Sequence, residues 1–494
     1  MSEKRGLPAG WVLCSVLDLA QLVRGVTYSK PDAVKEPRVG YWPLLRANNI
    51  NGKVNHDDLV YVREKCISQE QWLGKGDVLI AMSSGSQHLV GKAAQVREDI
   101  SETFGAFCGA LRPSLELDAT FFGWFFQTRR YRESVAADAK GSNINNLKRD
   151  HILRVPFALP PLNEQRRIVE KIETLFARLD QGEAALRRTQ TLLARYRQSV
   201  LKAAVTGALT ADWRAENAHR MEHGRDLLAR ILQTRRETWQ GRGKYKGPAA
   251  PDTTGLPELP EGWVWATVEQ VARVIGGLTK NSKRLEMPLR MPMLRVANVY
   301  QNRLDLSDVH ETGVTATECE RASLEDFDLL VVEGNGSKDQ IGRMAIWRNE
   351  IPGAVHQNHL IKIRMVEKGI TEFAMWWFQS PSGRQKVEEV ASSTSGLHTL
   401  SVSKIEGLVI PIPSLEEIAE INERVNEAFS KITLLGSWCQ TELARSAALR
   451  QSILKDAFAG KLVPQDPSDE PAAELLARIR ASRTTTPTRK KARA

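Results

Sequence analysis

The sequence is poor in the residues that build metal clusters and disulfide frameworks. Its five cysteines lie far apart and form no CxxC pair. This spacing argues against a zinc cluster or a disulfide framework and favours a reducing cytoplasm. No apolar run reaches the length of a membrane span, and the first residues lack the apolar stretch of a signal peptide. We therefore expect a soluble cytoplasmic protein.

Motifs of catalysis are missing as well. The stretch nearest to a P-loop, residues 85–93, has one residue too many between its glycines and carries Ala93 where magnesium binding needs Ser or Thr. No HExxH or GxSxG occurs, and neither NPP nor DPP is present to begin an amino-methyltransferase loop. The nine histidines are scattered. We expect a binding protein without a catalytic residue, a metal or a cofactor of its own.

Positive charge is present in excess. The net charge is +10 and the isoelectric point is about 9.3, which favours a polyanionic partner, although a soluble basic protein without such a partner has the same composition. A chain of 494 residues exceeds one ordinary hydrophobic core, so two to four structural units are expected.

The sequence is a tandem duplication. RQSVLKAAVTGALT at 197–210 and RQSILKDAFAGKLV at 450–463 agree at eight of fourteen positions, and LPAGWV at 7–12 matches LPEGWV at 259–264. Further matching segments keep an offset of 249 to 253 residues. Such a repeat predicts the order globule, long helix, globule, long helix.

Each globule, of about 150 residues, combines short apolar runs with aromatic helical segments. The runs 78–81 and 329–332 predict buried strands that end in Gly/Ser loops, and residues 121–131 and 372–380 predict helices. The globules are therefore expected to be mixed α and β.

The two segments that follow the globules have a coiled-coil pattern. Apolar positions alternate in steps of four and three over about five heptads, and two equivalent seams in one chain favour an antiparallel pair that holds the globules apart. The seam of the second copy is broken by Glu442 and Ser446, which either weaken the pair or mark a polar partner. The first seam comprises Ile168, Ile172, Leu175, Leu179, Gly182, Leu186, Thr189, Leu193, Tyr196, Val200 and Ala203, and the second Ile421, Val425, Ala428, Ile432, Leu435, Cys439, Leu449 and Ile453.

The predicted fold class is α+β, with two similar mixed α/β globules separated by two long helices in an antiparallel coiled coil and related by a pseudo-twofold internal repeat. Proline before each long helix and Gly207 and Gly460 after them indicate the helix ends. The assigned segments are globules at 1–161 and 259–413, long helices at 162–207 and 414–461, a short helix and linker at 208–258, and a C-terminal segment at 462–494 with a basic tail that we expect to be disordered.

Polar loops recur at matching places in both globules and supply the side chains that base readout needs. Arginine can bridge guanine and asparagine can bridge adenine, whereas lysine neutralises phosphates. Asn, Ser and Gly also mark ordinary turns, so each single residue is open to that structural interpretation. The candidate DNA-binding residues are Thr27, Tyr28, Lys30, Arg46, Asn48, Asn49, Ser83, Ser84, Ser86, Lys92, Asn143 and Asn145 in the first globule, and Thr279, Lys280, Arg295, Asn298, Asn335, Ser337, Lys338, Arg343 and His398 in the second.

Taken together, these features resemble the specificity (S) subunit of type I restriction–modification systems. The resemblance covers nearly the whole chain and rests on the duplicated plan, the GWV starts, RGVTYSK, LLRANNI, GDVLIAMSSGS, TFGAFCG, PPLNEQRRIVEKIE and RQSVLKAAVTGALT with ADWRAEN after it. It implies that each globule is a target-recognition domain that reads half of a bipartite, asymmetric site in double-stranded DNA.

The resemblance also implies a set of partners. Two methyltransferase (M) subunits with S-adenosylmethionine would dock on the helices and methylate adenine, and two restriction (R) subunits would add ATP- and magnesium-dependent translocation and cleavage. Two other hypotheses remain open from the residues: a free-standing sequence-specific DNA-binding regulator without enzyme partners, and a scaffold that binds only proteins. The scaffold leaves the positive charge and the polar loops unexplained.

Overall fold

The computed structural model of the chain describes residues 6–84, 90–138, 145–240, 243–335, 340–394 and 397–484. They fall into two units. Unit 1 lies within Met1–Arg187 and Gln440–Ala494, and unit 2 within Arg188–Cys439. Each unit therefore combines one globule with parts of both long helices. The basic tail beyond residue 484 lies outside the described residues.

Most strands recur in the same order in the two globules. In unit 1 they are β1 (Val12–Ser15), β2 (Ala20–Arg24), β3 (Ala33–Val34), β4 (Tyr41–Leu45), β5 (Ile50–Asn51), β6 (Lys53–Val54), β7 (Val60–Arg63), β8 (Val78–Ala81), β9 (Ser83–Ser84), β10 (Ala93–Gln95), β11 (Thr103–Phe104), β12 (Cys108–Pro113), β13 (Asn145–Asn146) and β14 (Pro156–Leu159). In unit 2 they are β15 (Val264–Thr267), β16 (Ala272–Gly276), β17 (Leu289–Leu294), β18 (Val299–Tyr300), β19 (Arg303–Leu304), β20 (His310–Val314), β21 (Leu329–Val332), β22 (Gly334–Asn335), β23 (Met344–Ile346), β24 (Val355–His356), β25 (Leu360–Met365), β26 (Ser392–Thr394), β27 (Leu397–Thr399) and β28 (Val409–Ile412).

The helices flank these sheets and continue into the two long segments. They are α1 (Val16–Leu19), α2 (Ala119–Phe125), α3 (Arg129–Asp138), α4 (Arg149–Leu153), α5 (Leu162–Val205), α6 (Ala211–Asn217), α7 (Gly224–Glu237), α8 (Val268–Val271), α9 (Ala316–Ala322), α10 (Thr371–Gln379), α11 (Pro381–Val390), α12 (Val402–Glu406), α13 (Leu415–Ala457) and α14 (Ala472–Thr484). The long helices α5 and α13 were expected over 162–207 and 414–461.

Corresponding four-stranded antiparallel sheets form the centre of each globule. The strand order is β10-β8-β12-β2 in unit 1 and β23-β21-β25-β16 in unit 2. Strands β8 and β21, the apolar runs expected to be buried, are buried at every position, which confirms those two strands. A second sheet in each globule contains one parallel pair, β11 with β4 and β24 with β17. The mixed α/β prediction is therefore confirmed in both copies.

One expected helix is divided in two. Residues 121–131 form the end of α2 and the start of α3, because the Thr128 hydroxyl accepts a hydrogen bond from the Tyr131 amide at 3.2 Å and begins a new helix there. Ser380 begins α11 in the same way, because its hydroxyl accepts a hydrogen bond from the Gly383 amide at 3.2 Å.

The repeated phrase completes the core of each unit. In unit 1, the end of α13 brings Leu454 and Ala457 into the core of the first globule, and the Phe458 ring lies 4.8 Å from that of Phe121. In unit 2, the end of α5 brings Val200 and Leu201 into the core of the second globule. Each globule therefore packs against the end of the long helix that follows the other globule.

The glycine at the end of each phrase is fixed by this packing. Gly207 and Gly460 have φ angles of +71° and +69°, which other residues rarely adopt. An added Cβ would lie 2.6 Å from Pro260 Cγ at Gly207 and 2.2 Å from Pro8 Cγ at Gly460. These prolines belong to the two LPxGW motifs, so the two repeated sequence signatures contact each other in both units.

The long helices run antiparallel. In unit 1, Arg450 Nη2 lies 2.6 Å from Asp180 Oδ1, and the Arg450 guanidinium lies over the Phe176 ring. In unit 2, the Arg197 guanidinium lies 3.7 Å from the Phe429 ring centroid. Because residue numbers rise along α5 while those of their partners fall along α13, the predicted antiparallel coiled coil is confirmed.

Several expected seam positions are wrong. Gly182, Tyr196, Leu435 and Leu449 are exposed. Polar side chains occupy the helix–helix contact instead. In unit 1, Ser446 donates to Glu183 Oε1 at 2.7 Å, so Ser446 belongs to the helix pair and forms part of its polar layer. A strict heptad drifts relative to a straight helix with 3.6 residues per turn, which moves the contact by one position near the middle of each helix.

The core of the second globule contains a histidine that the first globule lacks. His356 of β24 is fully buried beside carbonyl oxygens, with Nδ1 3.0 Å from Ala322 O and Nε2 3.3 Å from Ile275 O. Burial, with the Lys362 charge nearby, lowers the pKa of His356 to about 4. Phe104 occupies the equivalent position of β11 in the first globule.

This histidine predicts a loss of stability in acid. Between pH 6.5 and pH 4 the unfolded chain binds a proton at residue 356 that the folded chain does not, so unit 2 should lose roughly 3 kcal/mol as the pH falls through this window. His356→Phe should remove that loss, whereas His219→Phe, at an exposed position, should keep it. Urea unfolding followed by tryptophan fluorescence between pH 4 and 7 measures the slope. An unchanged slope in His356→Phe would contradict the assignment.

None of the described helices combines the length and the apolar character needed to cross a membrane. Within the same residues, no three His, Cys, Asp or Glu side chains are gathered as a metal site requires.

Candidate nucleic-acid interface

The first candidate loop leaves the end of β2 and passes very close to a neighbouring backbone. The Val26 amide donates to Phe104 O at 2.7 Å, and a Cβ on Gly25 would lie 2.1 Å from Gly105 O. Beyond this crossing Thr27 and Lys30 are exposed, whereas Tyr28 packs partly into a small apolar cluster. Thr27 and Lys30 are therefore available to a ligand, and Tyr28 is only partly so.

Unit 2 repeats this crossing with different side chains. The Leu278 amide donates to His356 O at 2.8 Å, and a Cβ on Gly277 would lie 2.3 Å from Gln357 O. Thr279 and Lys280 follow and are exposed. The Thr279 carbonyl is already used by Arg284 Nε, which donates to it at 2.6 Å.

The second candidate loop corrects two of the predicted contacts. Residues Ala47–Asn49 and Val296–Asn298 form one-turn 3-10 helices. Asn49 Oδ1 accepts from the Arg46 amide at 2.9 Å, and its Nδ2 donates to Asp57 O at 2.8 Å. Asn298 makes the equivalent bonds and both asparagines are buried. Both side chains are used within the chain to hold their turns together, while Asn48 is exposed.

The arginines of this turn are also engaged within the chain. Arg46 Nη2 lies 2.8 Å from Asp58 Oδ2, and Arg295 Nη2 lies 2.8 Å from Asp308 Oδ2. The Arg295 guanidinium lowers the pKa of the Asp308 carboxyl. A base contact by either arginine would have to replace this exposed ion pair, which supports the turn as it stands.

Lys92 and Arg343 occupy equivalent positions and contact equivalent residues in their own units. Lys92 Nζ donates to Asn51 Oδ1 at 3.2 Å. The Arg343 guanidinium lies 5.5 Å from the ring centroid of Tyr300, and Nη1 donates to Gln340 Oε1 at 3.2 Å. Asn51 and Tyr300 directly follow the two asparagine turns, so each turn and its cation form one cluster.

A surface depression in unit 1 gathers basic residues around Ser83. It has a volume of about 520 Å³ and is lined by Arg24, Phe107, Lys148 and Arg149 together with Ser83. The Phe107 side chain is 69% exposed, although it is large and aromatic. Exposed aromatics among cations are the combination by which proteins stack bases and bind phosphates.

The sequence reasoning identified only Ser83 of this group. Arg24 begins the RGVTYSK segment and lies far in sequence from the adjacent Lys148 and Arg149, so no local pattern marks the three cations as one group. Phe107 lies inside the TFGAFCG segment, and its exposure is the only signal that separates it from the core phenylalanines around it.

The same surface in unit 2 has a different chemistry. The positions equivalent to Arg24, Phe107, Lys148 and Arg149 are Gly276, His359, Ser401 and Val402. His359 Nδ1 lies 3.3 Å from Glu333 Oε2 there. Two matching surfaces with different side chains are suited to two different targets.

Several predicted contacts fall in segments next to paired strands. Ser86, Asn143, Ser337 and Lys338 lie outside the described residues, as do the side chains of Ser84, Asn145, Asn335 and His398. The backbone next to these segments is paired, with Ser83 opposite Asn146 and Gly334 opposite Thr399.

Both globules match one known protein family. The family model described as the type I restriction modification DNA specificity domain matches residues 8–186 and 260–435. The chain belongs to this family. Each match covers one globule and the first part of the long helix that follows it, so the specificity domain is present twice.

Relatives of this specificity-domain protein match almost end to end. It is 32% identical over 97% of its length to the type I restriction enzyme EcoKI specificity subunit of Escherichia coli (strain K12), covering 96% of that protein. The StySPI specificity subunit of Salmonella potsdam is likewise 32% identical, over 97% of this chain and 96% of that protein. Both matches therefore span the two units of this chain.

A solved structure shares the fold of this specificity-domain protein. The solved protein is described in connection with complex assembly and conformational transition of the type I R-M system. The match covers 92% of this chain and 99% of the solved chain, with a TM-score of 0.62 and 15% sequence identity.

Proposed function

We propose that the chain is the DNA sequence-recognition subunit of a type I restriction–modification complex and reads a bipartite, asymmetric site with one half per globule. The single observation that carries this proposal is the contrast between the two matching surfaces. The scaffold motifs repeat, while the positions of Arg24, Phe107 and Lys148 in unit 1 are occupied by Gly276, His359 and Ser401 in unit 2. A protein that reads a palindrome has no need of two surfaces that differ.

The partners follow from the family and from the duplicated scaffold. Two methyltransferase subunits would bind with S-adenosylmethionine and methylate adenine, and two restriction subunits would use ATP and magnesium to translocate and cleave DNA. The chain itself would hold no cofactor and no catalytic group, and would act in the cytoplasm. The names of the relatives support this assignment, since both are specificity subunits of restriction enzymes.

In the first globule we propose that the exposed cations contact phosphates while the exposed polar and aromatic side chains contact bases. Lys30, Lys148 and Arg149 belong to the first group, and Thr27 and Asn48 to the second. Arg46, Asn49, Arg295 and Asn298 act indirectly by holding their turns.

The experiment that tests the function is long-read sequencing of modified bases in the host genome, with and without this gene. One gapped, two-part adenine-methylated motif should disappear when the gene is deleted and return on complementation. If every methylated motif survives while the isolated chain protects a specific DNA site, the chain is a regulator and the proposal is wrong.

The cations around Phe107 predict a change in salt dependence. Lys148→Ala and Arg149→Ala, measured in the assembled complex, should each reduce the slope of log affinity against log salt by about 1, because each loses one phosphate contact. Lys75→Ala is a matched control. Lys75 is exposed, but it lies before the start of β8, at the opposite end of the strand from Ser83 and the depression. Unchanged slopes in both variants would exclude this surface from the DNA contact.

A further inference from the structure

The arginine that begins the repeated phrase is neutralised in only one of the two units. In unit 1, Arg450 Nη2 lies 2.6 Å from Asp180 Oδ1 and 3.0 Å from Glu183 Oε1. In unit 2 the equivalent Arg197 stacks on Phe429, but the positions of Asp180 and Glu183 are taken by Thr433 and Gly436. Among the described residues, Arg197 has no carboxylate partner.

This lone cation is partly withdrawn from water. Arg197 is half-buried, and that burial is the cause that lowers the pKa of its guanidinium. A desolvated guanidinium without a counter-charge is unfavourable, and it becomes favourable only when an anion reaches it. Unit 1 shows which anion the position accepts, because Asp180 and Glu183 place carboxylates there.

Arg197 also lines a groove that is open to a ligand. The groove of about 930 Å³ lies between α13 and the second globule and includes Arg197, Trp376, Phe429 and Leu434. The Trp376 indole N–H is buried there and has no acceptor within the described structure. The indole N–H of Trp124 in the corresponding groove of unit 1 is also buried without an acceptor, so both grooves contain an unused hydrogen-bond donor.

Leu434, which lines this groove, is one of several exposed apolar side chains on α5 and α13 of unit 2 that unit 1 mostly lacks. Leu434 and Trp438 are one turn apart on α13 and are 70% and 54% exposed, and Leu192 and Tyr196 are one turn apart on α5 and are also exposed. The equivalent positions in unit 1 are Gln181, Ala185, Arg445 and Leu449, and only the last of these is a large apolar residue. Exposed apolar side chains beside an unpaired cation fit a protein segment better than a DNA backbone.

We propose that the Arg197 groove of unit 2 is a docking site for a partner protein, which inserts an apolar segment that presents one carboxylate to the guanidinium. The occupant is a methyltransferase subunit, and this identification rests on the proposed function. Unit 1 holds such a subunit without this ion pair, because its own acidic residues fill the position. The two docking sites of the chain are therefore unequal.

The test introduces the carboxylates of unit 1 into unit 2. Thr433→Asp with Gly436→Glu should pair internally with Arg197 and exclude the partner's carboxylate. The neutral control, Thr433→Asn with Gly436→Gln, has the same size and gives the same gain in helix propensity. Both variants fit the fold, because a Cβ at Gly436 meets no atom within 4 Å. The acidic variant of the free chain should melt at a higher temperature than the neutral one.

Native mass spectrometry and titration of the full chain with the methyltransferase subunit of the same system supply the binding result. Loss of a charge pair in an interface typically weakens binding by about thirtyfold or more. The acidic variant should therefore hold one subunit at concentrations where the wild type and the neutral variant hold two. Arg197→Gln should also hold one, and Arg450→Gln should still hold two.

The possible results test this inference separately from the proposed function on which it rests. If the acidic and neutral variants bind equally, Arg197 does not receive a partner carboxylate and the inference is wrong. The same conclusion follows if the acidic variant keeps two subunits but loses affinity for DNA, because the natural ligand would then be a phosphate. If the wild-type chain takes up no methyltransferase subunit, the proposed function itself fails.

Discussion

Glu417→Ala is expected to destabilise unit 2 by about 3–5 kcal/mol, which corresponds to a melting temperature lowered by roughly 10 °C. Glu417 lies in the first turn of α13 and is buried. Its carboxylate accepts hydrogen bonds from Thr210 Oγ1 at 2.7 Å, from Arg214 Nη2 at 2.7 Å and from Trp263 Nε1 at 2.8 Å. Alanine would leave the Thr210 hydroxyl and the Trp263 indole N–H without this acceptor in the interior, and the Arg214 guanidinium, which still donates to Gly207 O, without its counter-charge.

Urea unfolding followed by tryptophan fluorescence measures this effect. Glu416→Ala is the matched control, because Glu416 is the preceding residue of the same helical turn and is exposed. Glu417→Gln should fall between the two, since an amide oxygen still accepts one bond but carries no charge. A loss below about 1 kcal/mol in Glu417→Ala would show that the network does not stabilise the unit.

The equivalent carboxylate of unit 1 is less strongly paired. Glu164 accepts from Trp11 Nε1 at 3.0 Å and from Gln465 Nε2 at 3.1 Å, and no arginine takes the place of Arg214. Burial raises the pKa of Glu164 as a result. Both units thus join the tryptophan of LPxGW to the glutamate at the start of the long helix, which explains why these two short motifs recur together.

The sequence was sufficient for the elements of the fold and for the repeat. The strands β8 and β21 and the antiparallel pairing of α5 with α13 were predictable, because buried strands and paired helices require apolar residues at fixed intervals. The same pattern could not show that each globule packs against the helix that follows the other one. The apolar face of RQSxLK is the same in either arrangement.

The candidate site was only partly predictable for a related reason. Asparagine and arginine in a loop carry the same functional groups whether they contact a base or close a turn, and Asn49 and Arg46 do the latter. Phe107 and the cations around it come from three segments that are distant in sequence, so only the fold brings them together. Gly25 and Gly277, which lie beside the loops, could be recognised from a repeated Gly-x-Thr pattern. The pattern did not show that each glycine passes very close to a neighbouring backbone.

Because of this close crossing, Gly25→Ala is expected to destabilise unit 1 strongly. The Gly25 amide donates to Cys108 O at 3.3 Å, so this residue crosses directly over the segment that carries Phe107. Alanine would place a methyl group 2.1 Å from Gly105 O and 2.6 Å from Phe104 O, which are backbone atoms held by the sheet and unable to yield as a flexible side chain would. Unit 1 should lose more than about 3 kcal/mol or fail to accumulate as a soluble protein.

Gly74→Ala provides the control in the same globule, because its Cβ would meet only Asp77 Oδ2 at 4.0 Å. It should unfold in urea within about 0.5 kcal/mol of the wild type. Gly277→Ala should reproduce the effect of Gly25→Ala in unit 2, where the methyl group would lie 2.3 Å from Gln357 O. If Gly25→Ala is as stable as Gly74→Ala, the two backbone segments cross less tightly than the contact between Gly25 and Gly105 implies. The loops beyond it would then owe their position to the ligand rather than to the fold, and Thr27 and Lys30 would no longer be pre-positioned contacts.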